Sequence, residues 1–162
     1  MTELALPQID RTTVSKKSLI VSQLKKFTNE ENVLSENEEI KPYETDGLAA
    51  YKQTPLAVVL PENTKEVSEI LKFCNQENIK VIPRGAGTGL SGGALPLQDA
   101  ILLGLGKFNK ILEIDFENKC VVTQPGVTNL GITHAVQHNG YYYAPDPSSQ
   151  LACSIGGNVA EN

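Results

Sequence analysis

The chain has 162 residues, 40% hydrophobic and 20% charged, which suits one globular domain with an ordinary core. Its formal charge is -5, and no basic run exceeds the pairs Lys16-Lys17 and Lys25-Lys26, which argues against a nucleic-acid partner. Three separated cysteines without a CxxC argue against a disulfide framework or zinc site, and neither a secretory signal nor a transmembrane segment is visible.

Residues 1–54 are polar and read as a helical N-terminal arm. Ser15 to Phe27 places Leu19, Ile20, Leu24 and Phe27 at helical spacing, with Ser15 as the expected cap. ENVLSENEEIKPYETDG reads as loop. From Thr54 the texture changes. LAVVL, Leu56 to Leu60, predicts a buried strand. Asn63 or Thr64 opens a helix to about Asn75 with Val67, Ile70, Leu71 and Cys74 on one stripe, and Lys80 to Pro83 is a second strand. Strand, helix, strand in this span predicts a βαβ unit with parallel strands. Ala100 to Leu105 is a third strand. Ile111 to Asp115 and Lys119 to Gln124 read as two more, joined by a turn at Glu117-Asn118. Thr128 to about Asn139 reads as a helix ended by Gly140.

Five of the 13 glycines fall between Gly85 and Gly93, in RGAGTGLSGG, directly after a predicted strand. Gly87-Thr88-Gly89-Leu90-Ser91-Gly92 satisfies GxGxxG. That motif needs a helix opening from the loop, and Gly93-Ala94-Leu95-Pro96 is a poor helix start. An irregular anion-binding loop fits better, with glycine freeing successive backbone N–H groups for phosphate oxygens. Thr88 and Ser91 add hydroxyls and Arg84 a charge. A flexible surface turn is the alternative.

The second constellation is Pro145-Asp146-Pro147-Ser148-Ser149, followed by Ser154-Ile155-Gly156-Gly157-Asn158. Two prolines stiffen the chain, while serines and glycines offer donors and backbone access. Paired with the glycine loop, this segment suggests two arms closing on one diphosphate.

IPRGAGTGLSGG, QPGVTNLGITHAVQHNGYYYAPDPSSQ and CSIGGNVAEN resemble the FAD-linked oxidases of the vanillyl-alcohol oxidase and p-cresol methylhydroxylase (PCMH) superfamily. Within it they are most similar to the glycolate oxidase flavin subunit and D-lactate dehydrogenases, and YETDGLAAYKQTPLAVVLPENTKEV matches the stretch leading into that domain. The resemblance implies an α+β fold: a truncated FAD-binding PCMH-type domain over 55–162, with a small βαβ subdomain and the start of a second α/β subdomain. It also implies that Arg84, Gly85, Ala86, Gly87, Thr88, Gly89, Leu90, Ser91 and Gly92 wrap the FAD pyrophosphate and adjoining flavin. The same role falls to Pro145, Asp146, Pro147, Ser148, Ser149, Ser154, Ile155, Gly156, Gly157 and Asn158. Some relatives tether FAD through a His in the glycine loop. Thr88 and the absence of His there imply noncovalent FAD.

The implied reaction is oxidation of a 2-hydroxy acid, glycolate or D-lactate, to the 2-oxo acid. Implied partners are the FAD-binding and iron–sulfur subunits of a glycolate oxidase complex, in the cytoplasm or peripheral to the inner face of the membrane. The chain stops at Asn162 inside a motif, so substrate-binding and catalytic residues are expected beyond it, and none is assigned within it. A non-catalytic nucleotide- or phosphate-binding module and an NAD(P)-dependent reductase domain stay open as alternatives.

The remaining candidates read as structural. His134 and His138 lie i, i+4 on a predicted helix without the HExxH glutamate. Tyr141, Tyr142 and Tyr143 alternate as core and rim of a strand, with flavin stacking as the other reading. Cys153 reads as a small buried residue and Asp146 as a turn former.

Overall fold

The computed structural model describes residues 7–145 and 147–161. The arm holds two short helices where one is expected: α1, Arg11–Ser15, and α2, Lys17–Leu24. Asp10 caps α1 by accepting from the Thr12 N–H at 2.8 Å, and Lys16 interrupts the run at φ -91° and ψ 8°. Ser15, the expected cap, donates its hydroxyl to the Thr12 carbonyl instead. Ile20 and Leu24 are buried as their spacing predicts. Leu19 is 60% exposed because it sits one position round the helix from Ile20.

The stretch expected as loop is structured. It contains a 3-10 turn at Glu30–Asn32, strand β1 at Val33–Leu34, helix α3 at Asn37–Ile40 and a second 3-10 turn at Lys41–Tyr43. The overlooked signal is a capping box. Glu36 accepts from the N3 backbone, and Glu39 accepts from the Glu36 N–H at 3.1 Å.

The main sheet adds β2 (Ala57–Val59), β3 (Lys80–Arg84) and β4 (Ala100–Gly104), with helix α4 at Thr64–Gln76 between β2 and β3. Its order is β1-β2-β4-β3, antiparallel at β1 and parallel elsewhere. The expected strand–helix–strand unit is present with parallel strands, but β4 lies between the two: Leu102 is in register with both Val58 and Ile82. Every residue of β4 is buried, as an apolar strand covered on both faces should be. On one face Ile20, Leu24, Ile70 and Cys74 pack with Ala57, Val59, Ile101 and Leu103. On the other, Ile40 meets Val58 and Leu102. The arm therefore packs on this sheet, and β1 extends it.

A second, two-stranded sheet pairs β5 (Ile111–Asp115) with β6 (Cys120–Thr123) antiparallel. Its turn is held by the Asp115 carboxylate, which accepts from the Asn118 N–H at 2.9 Å, with Lys119 at φ 55°. Helix α5 (Asn129–Val136) is capped by the Thr128 hydroxyl and runs through a 3-10 turn, Gln137–Asn139, to Gly140 at φ 79°. Tyr141 to Tyr143 form no strand. Tyr142 is 74% exposed, and Phe116 stands 5.7 Å from Tyr141 between ring centres. The closing SIGGNVAE segment, to which the sequence reading assigns no element, holds a helix, α6 (Ile155–Glu161). Among the described residues no helix is long and apolar enough to cross a membrane.

The arm is tied to the sheet at Asp99, which also pairs with the half-exposed Lys80. Asp99 is 2% exposed and accepts from the Lys80 ammonium and the Asp10 N–H, each at 2.7 Å. Burial alone would raise its pKa, but these hydrogen bonds and the Lys80 charge outweigh burial and hold it below the ordinary 3.8. A carboxyl depressed on folding stabilises above its unfolded pKa and loses that contribution as pH falls through the folded value. Asp99→Asn is therefore expected to cost about 1–3 kcal/mol near neutrality. Thermal melts of both proteins from pH 7 downward should show a gap that is constant near neutrality and begins to shrink as pH falls below about 4. A gap that does not shrink at all in acid would mean the effect is packing.

Candidate functional site

Arg84 ends β3 and is buried. Its Nε and Nη2 donate to the Ala94 carbonyl, and its Nη1 donates to the Tyr43 carbonyl at 3.2 Å. The guanidinium thus closes the glycine loop by joining its first residue to a carbonyl ten positions later. Burial pulls the Arg84 pKa below its ordinary value, and the nearby Asp46 carboxylate opposes that shift.

Between these ends the chain forms neither helix nor strand from Gly85 to Asp99. The helix that a dinucleotide GxGxxG requires is thus missing at its place. Gly87 takes φ +70° and Gly92 φ +77°. Among the described residues none of the backbone N–H groups from Ala86 to Ala94 donates a hydrogen bond to the protein. A run of free N–H groups, with the Thr88 and Ser91 hydroxyls, is a donor set for an acceptor-rich ligand such as a diphosphate.

The second arm meets this loop through Ser154 and α6. A Cβ on Gly85 would overlap the Ser154 hydroxyl and stand 3.8 Å from Gly157 Cα. Thr128 and Ser154 form an isolated antiparallel bridge, and the Ile155 N–H donates to the Val127 carbonyl at 2.8 Å. Gly156 faces protein, since a Cβ there would stand 2.7 Å from Pro125 Cβ. Gly89 faces the Glu161 carboxylate, whose exposure leaves its charge to solvent screening.

Pro145, Pro147, Ser148 and Ser149 lie in the preceding loop, while Asp146 lies outside the described residues. No hydrogen bond among the described residues joins Pro145–Ser149 to the glycine loop. Pro145 is tied to Asn158 through Asn129, which is 1% exposed and was not singled out by its sequence. Its Nδ2 donates to the Pro145 carbonyl at 3.1 Å, and its Oδ1 accepts from Asn158 Nδ2 at 2.6 Å. Thr128 and Asn129 look in sequence like an ordinary helix start, which hid this role. The Ser149 carbonyl accepts from the Ala152 and Cys153 N–H groups in a local turn. Cys153 is buried, and His134 and His138 are exposed.

A family model described as "FAD binding domain" matches residues 55–162. The glycolate oxidase subunit GlcD of Escherichia coli is 51% identical over 158 residues, covering 98% of this chain and 30% of its own length. A D-lactate dehydrogenase of Anaerostipes hadrus is 41% identical over 118 residues, covering 72% of this chain and 25% of its own length. Among solved structures, p-cresol methylhydroxylase with substrate bound superposes with a TM-score of 0.77 at 24% identity, over 96% of this chain and 31% of that one. The last likeness is one of fold. The chain spans under a third of the length of these relatives. With the matched segment carrying both arms and the free donor run, the chain belongs to the FAD-binding domain family, whose cofactor is FAD.

Proposed function

We propose that the whole protein oxidises a 2-hydroxy acid, glycolate or D-lactate, to the 2-oxo acid, and that this chain holds the pyrophosphate of noncovalent FAD. The observation that carries the binding role is the free N–H run from Ala86 to Ala94, with the Ser154 arm seated against its first glycine. The substrate class rests on the names of the Escherichia coli and Anaerostipes hadrus relatives.

FAD held here would supply the acceptor for the hydride equivalent of the hydroxyl-bearing carbon. The chain's own residues bind and orient. Loop N–H groups and the Thr88 and Ser91 hydroxyls donate to phosphate oxygens, and Ser148, Ser149 and Ser154 add donors from the second arm. Arg84 and Asn129 act through the backbone, each fixing the loop it is bonded to. The division into an arm, 1–54, and an FAD-binding part, 55–162, is part of the same reading. The word "subunit" in the GlcD name supports an assembly, for which FAD-binding and iron–sulfur subunits are the proposed partners. The proposed location is the cytoplasm, free or peripheral to the inner face of the membrane.

The test uses the whole protein. Under anaerobic conditions, glycolate or D-lactate should bleach the flavin absorbance, and acid precipitation should leave the yellow colour in the supernatant. Colour kept in the pellet would show a covalent link. A flavin that neither acid bleaches would remove the substrate assignment while leaving the cofactor in place.

A further inference from the structure

Beside the glycine loop lies an open cleft of about 490 Å³ lined by Tyr43, Asp46, Arg84, Gly85, Gly87 and Thr88. Two of these residues are buried polar groups with unused hydrogen-bonding capacity. Asp46 is 7% exposed; its Oδ1 accepts from the Leu48 N–H at 2.9 Å, but its Oδ2 is buried with no partner. A buried carboxylate oxygen without a donor is costly, and such exceptions to hydrogen-bond satisfaction call for a missing donor. Arg84 is also 7% exposed, and its three bonds engage three of its five N–H groups. Both residues line the same cleft and form no direct ion pair with each other.

The chemistry of that pair selects its occupant. A phosphate would satisfy Arg84 and be repelled by Asp46. An ammonium would do the reverse. A hydroxyl satisfies both, because it donates to the carboxylate oxygen and accepts from the guanidinium. We infer that Asp46 and Arg84 form a hydroxyl-binding subsite that fixes a sugar-type hydroxyl of the dinucleotide, next to and distinct from the donor run that takes its phosphates. The inference rests on the proposed FAD-binding role. FAD offers such hydroxyls in two places, the ribityl chain and the adenosine ribose.

The experiment is a double cycle on the whole protein stripped of flavin, read as binding affinity. Wild type and Asp46→Asn are each titrated with FAD, with FAD lacking the ribityl hydroxyls, and with FAD lacking the ribose hydroxyls. One analogue should bind wild type roughly tenfold or more weakly than FAD, the size expected when a hydrogen bond to a charged group is lost. The same analogue should lose less on Asp46→Asn than on wild type, since an amide oxygen accepts more weakly than a carboxylate while Arg84 still donates. Which analogue responds identifies the source of the hydroxyl. Equal losses on both proteins would overturn the subsite, as would wild type binding both analogues as well as FAD. The wild-type comparison stands even where the variant does not fold. Wild type that fails to bind FAD at all would instead sink the cofactor-binding role on which the subsite depends.

Discussion

Replacing Gly47 by alanine should weaken FAD binding by the whole protein roughly a hundredfold, about 2.7 kcal/mol. A Cβ at this position would stand 2.7 Å from the Thr88 carbonyl oxygen, 2.7 Å from that of Gly89 and 2.9 Å from the Thr88 carbonyl carbon. All three atoms are backbone, so no rotamer change relieves the overlap, and the glycine loop itself must move. Gly47 is held in place by the Asp46 turn, whose carboxylate accepts from Leu48, so the strain passes to the loop. Because the collision is at Cβ, valine should lose little more than alanine. Affinities of the Ala and Val variants for FAD, measured on flavin-free protein, check this. A loss that grows steadily with side-chain size would mean that the residue fills the ligand cleft and leaves the loop where it is. The main core clusters do not include this residue, so the flavin-free melting temperature should move far less than the affinity.

Much of this architecture is legible in residue order, and the parts that are not share a cause. The buried strand at Ala100 shows as an apolar run, and the amphipathic helix after Asn63 shows as a stripe with a cap, because both signals are local. The insertion of β4 between β2 and β3 is not local, since a strand–helix–strand pattern fixes direction without fixing adjacency. The glycine loop is visible from composition, and the missing helix after it follows from Gly93 and Pro96. The helix at Ile155 was hidden by Gly156 and Gly157, whose low propensity argues for a loop. The packing explains them: Gly156 lies against Pro125 and Gly157 lies near Ser154. Tertiary contact therefore decides a glycine pair that local preference would assign elsewhere. Asn129 and Asp46 escaped for a related reason. Each looks like a helix-start or turn residue, and only the fold shows which loop it serves.

The sequence alone makes Arg84 a natural phosphate ligand, and the structure turns that expectation into a measurable choice. Its guanidinium is buried and bonded to the Tyr43 and Ala94 carbonyls, which joins the segment before β2 to the far end of the glycine loop. Arg84→Met keeps most of the stem volume and removes the charge and every donor. Two carbonyls then lose their donor, and the buried Asp46 loses a neighbouring positive charge. Leaving a buried acceptor without its donor costs about 1–3 kcal/mol each, against about 1 kcal/mol or less for losing an exposed cation. The flavin-free variant should therefore melt well below wild type, before any ligand is added. Asp46→Asn made on top of Arg84→Met should restore part of the loss, because it removes the stranded carboxylate. A surface phosphate ligand would give the opposite pattern, with an unchanged flavin-free melt and a lower FAD affinity that depends on salt. Melting and titration of the same three proteins separate the two roles, and an unchanged melt for Arg84→Met would end the claim that this residue builds the loop.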